Sequence, residues 1–235
     1  MVRILDAEII RERIENAKSK AGRNDKIFFA AVSKTRTVDE MKEAEKIPWI
    51  DFFGENRVQE AESKRKVYGE SRVPWRLIGH LQGNKARKAV EIFDTIDSLD
   101  SQDLAVRLER ITGELGRIVP VLIEVNTSGE ASKSGVEPSE FPRLLDFVAN
   151  LKNLRLEGLM TVGPITDSER EIRASFAELR ELLLRARERT GLSLPVLSMG
   201  MSGDFEQAIL EGSTLVRIGT LLFGPRNYAL PQSQR

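Results

Sequence analysis

Lys34 closes an apolar stretch, "FFAAVSKTRT" (28–37), whose composition suits a buried strand. Period-two alternation sets Phe28, Ala30, Val32 and Lys34 on one side of that strand. If that side lines an interior, the amine stands at a pocket mouth. Partial desolvation there lowers its pKa and makes it a nucleophile toward an aldehyde, and Arg36 pushes the same way. The competing reading is a solvated charge at a strand end. Two later segments bear on the choice. In "SMGMSGDFEQAI" (198–209) a strand runs into a small-residue turn and then a helix start, so Ser202 and Gly203 can offer a hydroxyl and backbone N–H groups to an anion. Plain capping of that helix by Ser202 is the alternative, and Asp204 repels a phosphate unless it points away. "VRIGT" (216–220) supplies a second set at Gly219 and Thr220, where a missing side chain lets an anion approach the backbone.

Arg217 interrupts the same apolar strand, on the face of Leu215 and Gly219. Inside a fold a guanidinium needs a partner, since desolvating it alone costs several kcal/mol or more; outside, it would pair with a helix carboxylate. An amine, an anion cradle and an arginine between them describe one ligand with an aldehyde, a phosphate and an acceptor between the two. Pyridoxal 5′-phosphate has that shape, and a lysine Schiff base with an Arg or Asp at the pyridine nitrogen is its usual protein setting.

These residues must be positioned by a regular frame. After a helix over 6–20, with Ile9, Ile10 and Ile14 on one face, short apolar runs alternate with amphipathic segments. The strand segments are "KIFFAAVSK", "WIDFFGEN", "WRLIGHLQ", "FDTIDSLD", "VPVLIEVN", "LRLEGLMTV", "LPVLSMGMS" and "TLVRIGTLLFG". Seven helical segments lie between them, with starts marked in "SQD", "EPSE" and "TDSERE". Eight strand–helix repeats in 235 residues predict a single α/β domain over 1–235, a (β/α)₈ TIM barrel with an extra N-terminal helix. An open doubly wound sheet is the alternative. In a barrel the site lies at the C-terminal strand ends, which read Lys34, Asn56, His80, Ser98, Asn126, Met160 or Thr161, Ser202, and Gly219 with Thr220, a largely polar row.

Composition narrows the function classes. Lys plus Arg equal Asp plus Glu at 36 each, so no global field draws nucleic acid or anionic membrane. There is no cysteine, which removes disulfides, thiolate catalysis and Cys-ligated metals. A single histidine, His80, argues against a His-based metal site or a Ser-His-Asp triad. No run is long and apolar enough for a signal peptide or a membrane span, so the reading is cytoplasmic. The basic segment at Lys85, Arg87 and Lys88 is either a solvated face or an extra anion site.

The stretches "AVSKTR", "FGENRVQE", "WRLIGHLQGNK", "GLMTVGP", "LSMGMSGDFEQAI" and "VRIGTLLFGPR" resemble, along nearly the whole chain, the pyridoxal phosphate homeostasis proteins, formerly grouped with the alanine racemase N-terminal domains. The resemblance implies a fold-type III barrel with the cofactor on Lys34. It implies Arg217 at the pyridine nitrogen and the phosphate on Ser202, Gly219 and Thr220. Asn56, His80, Met160 and Met199 would surround the ring. An arginine at the pyridine nitrogen disfavours ring protonation and weakens the electron sink. Neither tyrosine, Tyr68 or Tyr228, falls at a predicted strand end near the cofactor, so a second base is missing. The expectation is a monomer that binds the cofactor reversibly, buffering it or delivering it to client enzymes, without clear turnover. The alternatives are an amino-acid racemase or related enzyme using the same site, and an aldolase-like barrel with Lys34 acting on a carbonyl.

Overall fold

A computed structural model describes residues 4–225, with side chains from residue 7. Eight parallel strands close into a barrel in sequence order, β1-β2-β3-β4-β5-β6-β7-β8. They are β1 (Phe28–Val32), β2 (Phe52–Glu55), β3 (Trp75–Leu77), β4 (Thr95–Leu99), β5 (Val119–Glu124), β6 (Leu154–Met160), β7 (Val196–Ser198) and β8 (Leu215–Ile218). The helices outside them are α1 (Ile4–Lys20), α2 (Val38–Glu45), α3 (Val58–Tyr68), α4 (Ala86–Ile92), α5 (Gln102–Glu114), α6 (Phe141–Ala149), α7 (Glu169–Thr190), α8 (Phe205–Leu210) and α9 (Thr220–Phe223). All eight expected strands are present, and the open-sheet alternative falls with the β1–β8 pairing, Ala30 beside Arg217.

Local signals set the helix starts. Ser101 and Ser168 accept from Leu104 N and Glu171 N, each at 3.4 Å, and Thr37 with Glu40 forms a capping box on α2. Two expectations are corrected. Ile9 is 49% exposed while Ile10 and Ile14 are buried, because at about 100° per residue adjacent positions cannot both face the barrel. β8 stops at Ile218: Gly219 interrupts it, and the four following residues turn into α9, which buries Leu222 and Phe223.

The outward strand side chains, among them Phe29, Phe53, Trp75, Ile123 and Val216, pack with the helices in one apolar core. Ala30, Val32, Leu122, Met160 and Leu215 are equally buried but lie outside that core, on the interior side. Two irregularities adjust which residues face in. Ile96 and Leu99 both face the helices and pair with Val121 and Ile123, so β4 carries an extra residue around Asp97 and Ser98. Leu156 and Leu159 do the same on β6, where the pairing steps from Leu156 to Gly158. The second bulge turns Met160 inward beside Glu124 and Ser198.

Gly158 packs against β7 so closely that a Cβ there would lie 1.8 Å from Val196 O. Gly158→Ala is therefore expected to part β6 from β7 and cost about 3 kcal/mol or more. Gly203→Ala, whose Cβ would meet nothing within 4 Å, is expected to stay within about 0.5 kcal/mol. Urea midpoints of the two variants test the contrast.

Candidate functional site

Lys34 is half-buried and stands two residues past the end of β1, in the turn that leads to α2. Thr35 after it has φ 65°, a left-handed conformation that a β-branched residue adopts only when its surroundings hold it there. Arg36 N–H closes the turn on Ser33 O at 2.9 Å. The Arg36 guanidinium donates to the carbonyls of Gly224 and Pro225 and lies over the Phe223 ring. That ties the lysine-bearing turn to the segment after β8.

Arg217 faces inward, as its register with Ala30 requires, and is almost wholly buried. It donates to Ser198 Oγ at 2.8 Å and to Thr161 O at 2.7 Å. These bonds engage two of the five N–H donors a guanidinium carries. Its neighbours on the adjoining strands, Ala30 and Ser198, are small, which leaves it room. Burial pulls its pKa down, while Asp97, Glu124 and Asp204 oppose that shift.

Ser202 does not cap α8. Its Oγ accepts from Leu221 N at 3.4 Å, so the hydroxyl reaches the first turn of α9 and joins the loop after β7 to the loop after β8. Gly219 borders this junction; a Cβ there would come within 3.3 Å of Val32 Cβ on β1. Thr220 is exposed at the start of α9. Asp204 turns back into its own loop, accepting from Met201 N at 2.5 Å, and burial pushes its carboxyl up. It thus does not present a carboxylate at the rim.

The other expected residues divide. Met160 is inside the barrel, but the Met199 side chain belongs to the helix-packed core, since Ser198 takes the inward position on β7. A ring contact through Met199 does not fit this placement. Asn56 and His80 line a cavity of about 630 Å³ at the ends of β2 and β3, together with Lys85 and Gln82. His80 is exposed and its Nδ1 lies 3.1 Å from Asp100 Oδ2; Asn56 Oδ1 is buried without a hydrogen-bond partner. Lys34, Arg217 and Ser202 do not line this cavity, so Asn56 and His80 open onto a sector of the rim beside theirs. Arg87 pairs with Glu114 and Lys88 with Glu91 at 2.8 Å, which makes them a solvated face; only Lys85 of that basic segment reaches the cavity. Ser98 and Asn126 hold loop backbone, through Gly79 O and Glu130 O. Tyr68 is in the outer core, bonded to Glu45, and Tyr228 lies outside the described residues.

The barrel interior also holds charged side chains besides the expected site residues. Arg76 and Asp97 form a bidentate pair at 2.8 and 2.9 Å, with Arg76 stacked 4.7 Å over the Phe52 ring. Glu124 is buried with its Oε2 unpartnered. Burial pushes its carboxyl up to about 7, against the pull of Arg217 and with help from Asp100 and Asp97. The available signal was a charge inside each apolar run, in "WRL", "TIDSL" and "VLIEV".

The model of the "Alanine racemase, N-terminal domain" family matches residues 5–227. A pyridoxal phosphate homeostasis protein of Aquifex aeolicus is 39% identical over 220 residues, 93% of this chain and 96% of that one. Its counterpart in Pseudomonas aeruginosa is 43% identical over 225 residues, 95% and 96% of the two chains. The chain belongs to the pyridoxal phosphate homeostasis proteins of the alanine racemase N-terminal-domain family. Among solved structures, PipY of Synechococcus elongatus with PLP bound superposes with a TM-score of 0.80 at 38% identity, covering 91% of this chain and 99% of that one. An alanine racemase of Clostridium difficile shares the fold, with a TM-score of 0.74 at 16% identity over 94% of this chain and 60% of that one. The family's barrel is thus the one described above, with Lys34 in the turn after its first strand, Ser202 in the loop after its seventh and Arg217 on its eighth.

The Glu124 carboxyl provides a pH test of the interior. It titrates near 7 in the folded chain against an ordinary 4.5. Between those values the folded state keeps a proton that the unfolded chain has released, so this contribution to stability is complete below 4.5 and is lost as pH rises through 7. Glu124→Gln, which carries no such proton, is expected to flatten the fall in urea midpoint between pH 5 and pH 8. A parallel pair of pH profiles would refute the assignment.

Proposed function

We propose that this chain binds pyridoxal 5′-phosphate reversibly through a Schiff base at the Lys34 amine, and that it serves intracellular cofactor homeostasis by buffering or delivering that aldehyde. The observation that carries the reading is the convergence of three elements on one end of the barrel. β1 delivers Lys34, β8 delivers the buried Arg217, and the loops after β7 and β8 are joined through Ser202. The relatives named for pyridoxal phosphate homeostasis, and the one with PLP bound, support the choice of ligand.

The residues suit such a group. The Ser202 oxygen already accepts from Leu221 N–H, which leaves its hydroxyl hydrogen to donate to an anion. Gly219 and Thr220 offer backbone approach beside it, and open space adjoins Gly203. Arg217 has donors to spare for a ring nitrogen and, as a permanent cation, holds that nitrogen unprotonated. Bound, the cofactor contributes an electrophilic aldehyde and a conjugated ring. The amine adds to the aldehyde carbon and one water leaves; hydrolysis returns both partners unchanged. With an unprotonated ring the site holds and releases the cofactor better than it stabilises a carbanion.

We read the acting form as a monomer, consistent with the dispersal of exposed large apolar side chains over separate elements: Ile9, Val67, Val106, Ile118 and Ile165. Client enzymes that accept the released cofactor are the fitting partners. Among the described residues no helix is long and apolar enough to cross a membrane.

Titration of the purified protein with pyridoxal 5′-phosphate should give a visible absorbance that borohydride fixes onto Lys34. Lys34→Ala should lose that adduct and bind at least about tenfold more weakly, a difference of about 1.4 kcal/mol. Equal affinity in the variant, or a borohydride adduct on another lysine, would sink the proposal. Arg217→Met is expected to fold less well and to restore little binding at raised cofactor concentration, since it leaves Glu124 without its cation.

A further inference from the structure

Three charged side chains on β2 and α3 converge on the turn that bears Lys34. Lys64, buried on α3, donates to Ser33 O at 2.7 Å. Its ammonium also lies 2.6 Å from Glu55 Oε1 and 2.7 Å from Glu60 Oε1. Glu55 Oε1 accepts in addition from Ser33 Oγ at 2.7 Å. Glu60 Oε1 accepts from Thr35 N at 2.5 Å. The carbonyl of the residue before Lys34 and the N–H of the residue after it are therefore gripped by one ion triad.

A buried triad of this kind is a poor way to gain stability. Lys64 and Glu55 are buried and Glu60 is partly exposed; taking a charge out of water costs several kcal/mol, and apolar residues of similar size commonly serve as well. Here Glu55 keeps one oxygen buried without a partner, a further cost, and burial pushes its carboxyl up. The bonds are directed instead at geometry. Thr35 is held at φ 65°, and its N–H is satisfied by a carboxylate placed from α3. Regular elements thus impose on a loop the precision that a reacting group needs.

We propose that Lys64, Glu60 and Glu55 are positioning residues that set the Lys34 amine for attack on the ligand's aldehyde, and that they govern the covalent part of cofactor binding rather than the grip on its phosphate and ring. This rests on the reading of Lys34 given above. The amine adds to the aldehyde carbon and one water is expelled; the triad fixes the backbone from which the amine reaches and takes no part in the proton transfers.

Pyridoxine 5′-phosphate separates the two contributions, because it has the same ring and phosphate with an alcohol where pyridoxal 5′-phosphate has the aldehyde. Dissociation constants for both ligands are measured with the parent protein, Glu60→Ala and Lys64→Met; Glu60 is partly exposed, so its variant is the safer fold. The expected result is a loss of about tenfold for pyridoxal phosphate and less than twofold for pyridoxine phosphate in Glu60→Ala. An equal loss for both ligands, or no loss for either, overturns the proposal. A parent protein that binds both ligands alike, or neither, defeats the Lys34 reading itself and is recognised before any variant is compared.

Discussion

A guanidinium taken wholly out of water is the constraint around which this barrel is arranged. Arg217 enters from β8 into an interior where an unpaired charge would cost several kcal/mol. Ser198 Oγ and Thr161 O take two of its donors, and the field of Glu124 and Asp97 favours its positive form. Ala30, its register partner on the adjoining strand, is small. A second arginine, Arg76, is balanced by Asp97 in a bidentate pair, which leaves two guanidiniums and two carboxyls in one enclosed space. The bulges in β4 and β6 belong to this arrangement, because they bring Asp97 and Met160 to face the interior without turning the flanking leucines away from the helices.

The rim builds on that interior with short connections between rigid elements. Ser202 bridges the turns after β7 and β8, and Arg36 fastens the turn after β1 to the carbonyls that follow α9. Groups that would otherwise ride on three independent loops are held relative to one another. Glu60 and Lys64 extend the same logic to the peptide groups beside Lys34.

Much of this was legible in the sequence. Alternation marked eight strands and put Arg217 on one face with Leu215 and Gly219, while leaving open whether that face looks inward; the closed barrel and the register with Ala30 decide it. What escaped it has physical causes. Glu124 and Asp97 each stand within an apolar run, where alternation gives a charge no partner; only the closed barrel brings Asp97 to Arg76 and Glu124 toward Arg217. Met199, expected at the ring only through the family resemblance, lies in the helix-packed core, since the register with Met160 turns Ser198 inward. The start of α9 was hidden because "TLLF" is as apolar as a strand and too short to show a helical period. Lys64 and Glu60 looked like the surface charges of an amphipathic helix, and no local pattern reveals that they reach a turn about thirty residues earlier in the chain.

The pairing of the first strand with the last has a consequence for the order in which the molecule assembles. β1 gains its second neighbour only when β8 arrives, and α1 packs on α8, with Arg13 bonded to Glu206 and stacked on Phe205. One edge of β1 therefore stays unpaired until β8 is in place. β8 also carries the cation that Glu124 faces, so a premature closure without it would enclose a carboxyl with no counter-charge. The strand that closes the barrel on β1 is thus also the one that completes the charge balance of its interior.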